Sequence, residues 1–242
     1  PTLSSYFELR ERAPAGIYEL LAFNEQSLDR LVSHTAIPGL DLVISNDDKG
    51  QLNTLLLHAP DGRLRLRNLL PTFSAHYDLM LIDTQGARSV LLEMAVLASD
   101  SALSPVTPEI LAAREFRRGT LQLMRDIAPY RRLGIEPPEL RLLINRVHPV
   151  SSNARLIQQA LRDLFHAEPG IAVLDTNIPA IEAYPRASTM ALPVHRVEYR
   201  RPTGRATSAA FDTMRALARE LLPEWESAFT RLEAGVHRRV ST

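Results

Sequence analysis

The chain has 242 residues, of which 45% are hydrophobic and 23% are charged, so it can bury a full core within the size of one α/β domain. It contains no cysteine, which excludes disulfides, thiolate metal centres, iron–sulfur clusters and cysteine nucleophiles. Its 28 basic and 28 acidic residues cancel, so only the distribution of charge can indicate a nucleic-acid partner. The sequence has no apolar run of membrane-spanning length and no signal-peptide pattern, and we expect a cytoplasmic protein.

The first third of the chain predicts short helices around one buried strand. Apolar residues recur with helical spacing in residues 16–23 and 27–31, and further helices are predicted at 51–57 and 64–74, the last with Pro71 in its interior. Residues 40–45 predict a buried strand that ends at Asn46-Asp47-Asp48.

The strongest local signal is a run of four apolar residues, Leu79 to Ile82, that ends in Asp83-Thr84-Gln85-Gly86. A continuous apolar run is typical of a parallel strand covered on both faces, and open α/β sheets bind ligands at the carboxyl ends of such strands. Asp83 is therefore a candidate to hold the water shell of Mg²⁺, and Gly86 a candidate to offer its backbone N–H to a terminal phosphate. The alternative is that Asp83 only caps the following helix.

Beyond this turn, predicted strands and helices alternate. Strands are predicted at 102–106, 140–144 and 171–174, and helices at 90–98, 109–127, 151–165, 206–222 and 224–234. This alternation is typical of right-handed βαβ units and predicts an α/β fold with a doubly wound, mostly parallel sheet flanked by helices. Because no repeat or interdomain linker interrupts it, we expect a single domain over residues 1–242.

Two further sequence features concern the ligand. Asn145-Arg146-Val147-His148 follows a predicted strand where guanine-specific switches carry Asn-Lys-x-Asp, but it lacks the aspartate, which favours adenine with Asn145 as an amide contact. A helix or turn cap is the alternative role for Asn145. The phosphate loop G-x-x-x-x-G-K-[ST] does not occur, since the only lysine is Lys49, in Asp48-Lys49-Gly50-Gln51. Either that loop precedes Pro1 in a longer protein, or the fold binds a nucleotide without hydrolysing it.

Four segments in order resemble the successive signatures of the ParA/MinD-type deviant Walker ATPases. They are residues 77–84, residues 104–109, residues 144–147, and Ile178-Pro179 with the later Leu192-Pro193-Val194. The resemblance implies a P-loop NTPase-like fold whose N-terminal strands and P-loop are absent from this chain. Gln85-Gly86 replaces the commoner proline pair after the Walker B threonine, Thr84.

The same resemblance implies a function. Members of this family form a homodimer around two ATP molecules with Mg²⁺ and bind DNA nonspecifically as that dimer. They hydrolyse ATP when stimulated by a ParB-like centromere-binding protein. It assigns Asp83, through water, to Mg²⁺, and Thr84 and Gly86 of the same turn are further candidate cofactor-binding residues. It places Asn145, Arg146 and Pro179 near the base. We therefore expect a nucleoid-associated partition ATPase for a plasmid, chromosome or integrated element, although these residues alone are not expected to hydrolyse ATP. The alternative is a noncatalytic DNA-binding or adaptor module on the same fold.

A local excess of arginine predicts the DNA surface. Residues 186–205 contain five arginines and one acid, Glu198, in a chain of zero net charge. Phosphate contact is the functional interpretation and a solvated basic loop is the alternative. The predicted DNA-binding residues are Arg196, Arg200, Arg201 and Arg205.

A membrane-binding C-terminal helix, as in MinD-like relatives, is not expected. Trp225, Phe229 and Leu232 share a helical face, but the neighbouring acids Glu224, Glu226 and Glu233 would be repelled by anionic lipid. We expect this helix to pack against the domain instead.

Overall fold

The protein is described by a computed structural model over residues 6–149, 152–165 and 168–231. The described part of the chain divides into two compact units. The first comprises residues 6–102 and 114–140, and the second comprises residues 103–113 and 141–231. The assignment of the chain to one domain stays a prediction.

The first unit contains a small antiparallel sheet of strands β1 (Leu9–Glu11), β2 (Val32–Thr35) and β3 (Asp41–Val43), in that order. Only β3, within the predicted strand at 40–45, was expected. The β2–β3 hairpin turns at Pro38-Gly39, where the Leu40 amide donates to the Ile37 carbonyl at 3.1 Å and Gly39 has a φ of 77°. Proline followed by a glycine of positive φ is the sequence requirement of a type II turn.

Six short helices of the first unit precede the second sheet along the chain. They are α1 (Ile17–Phe23), α2 (Leu28–Leu31), α3 (Gln51–His58), α4 (Arg65–Leu69), α5 (Pro71–Ser74) and α6 (Val90–Leu97). The predicted helix at 64–74 is divided in two at Leu70, because Pro71 lacks an amide donor and is tolerated only in the first turn of a new helix. Apolar residues of these helices form one core, in which Leu21, Leu31 and Leu56 are fully buried.

A three-stranded parallel sheet confirms the α/β fold class. Strands β4 (Ser101–Val106), β5 (Glu139–Val147) and β6 (Ile171–Pro179) lie in sequence order. Helix α7 (Ile110–Ile127) connects β4 to β5 and helix α8 (Ser152–Phe165) connects β5 to β6, as parallel strands require. All three strands were predicted, and β5 and β6 extend beyond their predicted ends by three and five residues at the carboxyl side.

The predicted strand at Leu79–Ile82 is wrong in this structure. No described strand pairs with it, and residues 79–87 make no hydrogen bond to any described residue. Leu81 is 83% exposed and Leu79 is 46% exposed, so the run is not covered on both faces as predicted. Ile82 alone of the four packs against the core of the first unit. An apolar segment without a neighbouring strand cannot form a sheet ladder, whatever its β propensity.

Three helices follow β6 in the second unit, α9 (Ala183–Thr189), α10 (Val194–Val197) and α11 (Ala210–Leu221). The guanidinium of Arg141 in β5 donates to the Leu221 carbonyl at 2.6 Å, and the Glu220 carboxylate accepts the Asp175 and Thr176 amides of β6 at 2.5 and 2.9 Å. These contacts hold α11 against the edge strand β6, and they give two backbone amides of β6 a hydrogen-bond partner.

The predicted helix at 224–234 is partly described. A 3-10 turn (Pro223–Trp225) is followed by helical residues 226–231, with Trp225 and Phe229 half-buried. Leu232 and Glu233 lie outside the described residues. None of the described helices is both long enough and apolar enough to cross a membrane.

Candidate functional site

Asp83, Thr84 and Gly86 lie together in an exposed turn of the first unit, after the apolar run and before α6. The side chains of Asp83 and Thr84 make no hydrogen bond to a described residue, and the space around Gly86 is open within 4 Å. The cap of α6 is Ser89, whose hydroxyl accepts the Leu92 amide at 3.2 Å. Asp83 is therefore not the helix cap that was its alternative role, and nothing described in the fold uses its carboxylate.

The chemistry of this turn fits Mg²⁺ with a nucleotide. Mg²⁺ keeps several waters and is typically held by one or two carboxylates together with substrate phosphates. The single Asp83 carboxylate is therefore a sufficient protein ligand for such a site. No glycine-rich loop with a lysine occurs in the 242 residues to cradle the phosphates. Asp83 thus fits the metal, whereas these residues include no phosphate loop.

Asn145, Arg146 and Pro179 lie at the carboxyl ends of the neighbouring strands β5 and β6, in the second unit. The Ala180 amide donates to the Val147 carbonyl at 2.8 Å, which joins the two strand ends. The structure therefore brings these three predicted base contacts to one edge of the parallel sheet. The Asn145 side chain makes no hydrogen bond to a described residue, so its alternative role as a cap has no support there.

Arg146 has a left-handed backbone conformation within β5, with a φ of 61°. A non-glycine residue in this region is held there against a steric cost of about 1–2 kcal/mol. Strain of this kind is concentrated at ligand-binding positions, and the Arg146 side chain is exposed.

The four predicted DNA contacts are divided by the structure into two kinds. Arg196, Arg200 and Arg201 are exposed, and none of them forms an ion pair with a described acid. Arg205 instead donates hydrogen bonds from both terminal nitrogens to the Glu198 carboxylate, at 2.8 and 2.5 Å. Its guanidinium is thus engaged within the fold.

Sequence reasoning missed the role of Glu198. From the sequence, Glu198 only reduced the local net positive charge. In the structure its side chain is 8% exposed and forms an ion pair with Arg205. The hydrogen bonds from Arg205 hold the pKa of Glu198 below its usual value, and the same pair raises the pKa of Arg205. An acid and an arginine on either side of the Pro202-Thr203-Gly204 turn were the available signal.

Comparison with known proteins identifies the family. A family model described as an AAA domain (AAA_31) matches residues 3–132, more than half of the chain, and this range includes the Asp83 turn. The chain belongs to this AAA domain family.

Relatives of this AAA domain are longer proteins. The chain is 26% identical to the uncharacterized protein Rv1708 of Mycobacterium tuberculosis over 208 residues, 85% of this chain and 60% of that protein. It is 25% identical to the uncharacterized protein MJECL24 of Methanocaldococcus jannaschii over 151 residues, 62% of this chain and 54% of that protein. The chain thus spans about 60% of the length of the first of these relatives.

Solved structures show the subtype of the fold. Apo McdA of Cyanothece matches with a TM-score of 0.65 and 19% identity, over 78% of this chain and 73% of that one. A plasmid partition protein of Borrelia burgdorferi bound to AMPPNP matches with a TM-score of 0.55 and 21% identity, over 76% and 71%. The cell division ATPase MinD of Pyrococcus furiosus matches with a TM-score of 0.55 and 15% identity, over 87% and 76%. The AAA domain therefore has the ParA/MinD-type deviant Walker fold, which confirms the resemblance seen in the sequence.

Proposed function

We propose that this AAA domain is the switch of a ParA-type DNA partition ATPase, which binds ATP with Mg²⁺, dimerises around the nucleotide and binds DNA nonspecifically. The observation that carries the proposal is the Asp83-Thr84-Gln85-Gly86 turn. It lies inside the family match, it is exposed, and its carboxylate and hydroxyl have no hydrogen-bond partner among the described residues.

Each residue has a separate task in this proposal. Bound Mg²⁺ would neutralise charge on the β- and γ-phosphates. Asp83 orients the waters of the metal, Thr84 and Gly86 lie beside the phosphates, and Asn145 with Arg146 and Pro179 contacts the adenine end. Hydrolysis requires preorganised phosphate donors that these 242 residues lack, so we expect no ATPase activity above background from them alone.

Exposed arginines support the DNA-binding part of the proposal. Arg196, Arg200 and Arg201 carry positive charge that no described acid neutralises, in a chain whose net charge is zero. Such a patch binds phosphates through release of counterions and without reading base edges. A ParB-like centromere-binding protein would stimulate the switch, and the ATP dimer would associate with the nucleoid.

Mg²⁺-dependent nucleotide binding by the full-length protein tests the proposal. We expect Asp83→Ala to weaken binding of a fluorescent ATP analogue in Mg²⁺ by about tenfold or more, because a carboxylate of the metal site is lost. Binding in EDTA should change little. The matched control is Asp78→Ala, which removes an equally exposed carboxylate at the other end of the apolar run. Equal Mg²⁺-dependent affinities for the two variants would remove Asp83 from the site.

The second candidate function is a noncatalytic DNA-binding or adaptor module on the same fold. It is favoured by one observation, the absence of a lysine-containing phosphate loop from these residues. The two functions differ in how DNA binding depends on nucleotide. A partition switch binds duplex DNA more tightly with ATP and Mg²⁺ because the nucleotide populates the dimer, whereas an adaptor binds equally with and without it.

A further inference from the structure

The loop of residues 199–204 is closed at its base by one ion pair. Glu198 precedes the loop and Arg205 follows it, and the two side chains meet in the bidentate contact described above. Arg205 also donates to the Ser208 carbonyl at 2.9 Å. The loop between them carries Arg200 and Arg201, both exposed.

Glu198 also ties this closure to the start of α11. Its carboxylate accepts the Ala210 amide at 3.0 Å, and its backbone carbonyl accepts the Phe211 amide at 3.1 Å. Since the first amides of a helix have no partner within the helix, a carboxylate at this position is stabilised by them and by the helix dipole. Glu198 therefore connects the loop to a helix that is itself fastened to the sheet.

Aromatic packing supports the loop from its first residue. The Tyr199 ring lies 4.5 Å from the Phe211 ring between centroids, and the Arg215 guanidinium lies 5.7 Å from the centroid of Phe211. Gly204 closes the other side with a φ of 82°, a conformation that favours glycine. Both ends of the six-residue loop are thus fixed, while its two arginines carry no structural ion pair among the described residues.

We propose that the Glu198–Arg205 ion pair is a positioning device, which holds Arg200 and Arg201 in place for DNA phosphates while Arg205 itself does not contact DNA. The inference rests on the proposed DNA-binding function and deepens it. A loop that is ordered before binding loses less conformational entropy on binding, so the same phosphate contacts give a higher affinity. Glu198, the only acid of the basic segment, then increases DNA affinity although its charge repels DNA.

Glu198→Gln distinguishes this role from simple charge. It removes a negative charge beside the arginines, so attraction to phosphate alone predicts tighter DNA binding. The positioning role predicts binding that is weaker by about five- to tenfold, because the loop is no longer closed. The matched control is Glu224→Gln, which makes the same charge change at an exposed acid outside the loop and should leave affinity unchanged or slightly tighter.

Arg205→Lys supplies a second variant with unchanged charge. A lysine cannot reproduce the bidentate contact with a carboxylate, so a positioning role predicts weaker DNA binding, as for Glu198→Gln. A direct phosphate contact by residue 205 would instead be largely kept. Trypsin cleavage after Arg200 reports on the loop itself, since Pro202 blocks cleavage after Arg201, and it should become several times faster in both variants. Urea unfolding of each variant separates this local effect from a loss of global stability.

The experiment measures duplex binding by the full-length protein at low salt with ATP and Mg²⁺. Weaker binding and faster loop cleavage in both variants, with the wild-type urea midpoint, support the positioning role. Wild-type or tighter binding by Glu198→Gln overturns it and leaves the proposed function standing. Unchanged loop cleavage in both variants also overturns it. Failure of the wild-type protein to bind duplex DNA overturns the DNA-binding function and the positioning role with it.

Discussion

At the scale of single residues, glycines show where the backbone has no room for a side chain. A Cβ on Gly16 would overlap the Ile44 carbonyl oxygen, because Gly16 begins α1 directly against the end of β3. Gly119 is the opposite case, within α7 and with nothing near its Cβ position. Substitution of glycine by alanine at the two positions therefore compares a site without room for a methyl group with a site that has room.

We expect Gly16→Ala to lower the free energy of unfolding by about 1–3 kcal/mol, since backbone must shift to admit the methyl group. Gly119→Ala should raise it by about 0.5–1 kcal/mol, because alanine is the better helix former and reduces the entropy of the unfolded chain. Urea unfolding of both variants measures the two effects. A stabilising Gly16→Ala would contradict the contact between α1 and Ile44.

A histidine in the antiparallel sheet makes stability depend on pH. His34 Nδ1 lies 2.9 Å from Asp41 Oδ1 in the neighbouring strand, and the same carboxylate accepts the Tyr77 hydroxyl at 2.9 Å. The hydrogen bond and charge of Asp41, with the charge of Glu11, raise the pKa of His34 against the opposing effects of desolvation and of Arg10. Because the pKa in the folded state is the higher one, this stabilisation is full below about pH 6.5 and is lost as pH rises through the folded value.

The expected result is a larger loss of stability from His34→Gln at pH 5.5 than at pH 8.5. Unfolding by urea at both values measures the difference. His58→Gln is the control, because His58 is exposed and pairs with no described carboxylate. A His34→Gln effect that is equal at both pH values would show that the pair with Asp41 is not formed in solution.

At the scale of elements, periodicity predicted most helices and all three parallel strands, because their signals are local. The β1–β2–β3 sheet was largely missed, although Pro38-Gly39 is a turn signal between Val32–Thr35 and Asp41–Val43. Such short strands have too few residues for alternation to be visible. The failure at Leu79–Ile82 has another cause, since a strand depends on its neighbours and a sequence pattern cannot report whether they are present.

The unpaired run at Leu79–Ile82 should make the isolated chain associate with itself. Leu79 and Leu81 are exposed next to backbone groups that have no hydrogen-bond partner among the described residues, which is the surface an unprotected strand edge presents. We expect Leu81→Lys to reduce self-association of the 242-residue chain in sedimentation experiments, with Leu156→Lys, at a 70% exposed leucine of α8, as the control. A monomeric, monodisperse wild-type chain would contradict this.

At the scale of the whole molecule, the sequence named candidate site residues one by one but not the contacts around them, and their roles stay predictions. Asp83 and Asn145 were predicted because each follows a predicted strand at a place with a known chemical use, and Pro179 was predicted from the family resemblance. The division of the arginines into exposed and engaged ones depended on Glu198, whose partner is chosen by tertiary structure. Charge counting in a neutral chain locates a basic segment, and only the fold tells which of its charges are available.

The available arginines lead to the last prediction, which concerns the salt dependence of DNA binding. Each phosphate contact releases condensed counterions, so log K falls with log salt concentration by about 0.9 per contact on duplex DNA. The Arg200→Ala/Arg201→Ala double variant should therefore reduce the slope by about two and weaken binding equally on unrelated duplexes, because arginine holds a phosphate without reading bases. The matched control is Arg12→Ala/Arg132→Ala, which removes two exposed arginines of the first unit that pair with no described acid. If the control reduces the slope as much as the double variant does, the effect comes from net charge and the DNA surface lies elsewhere.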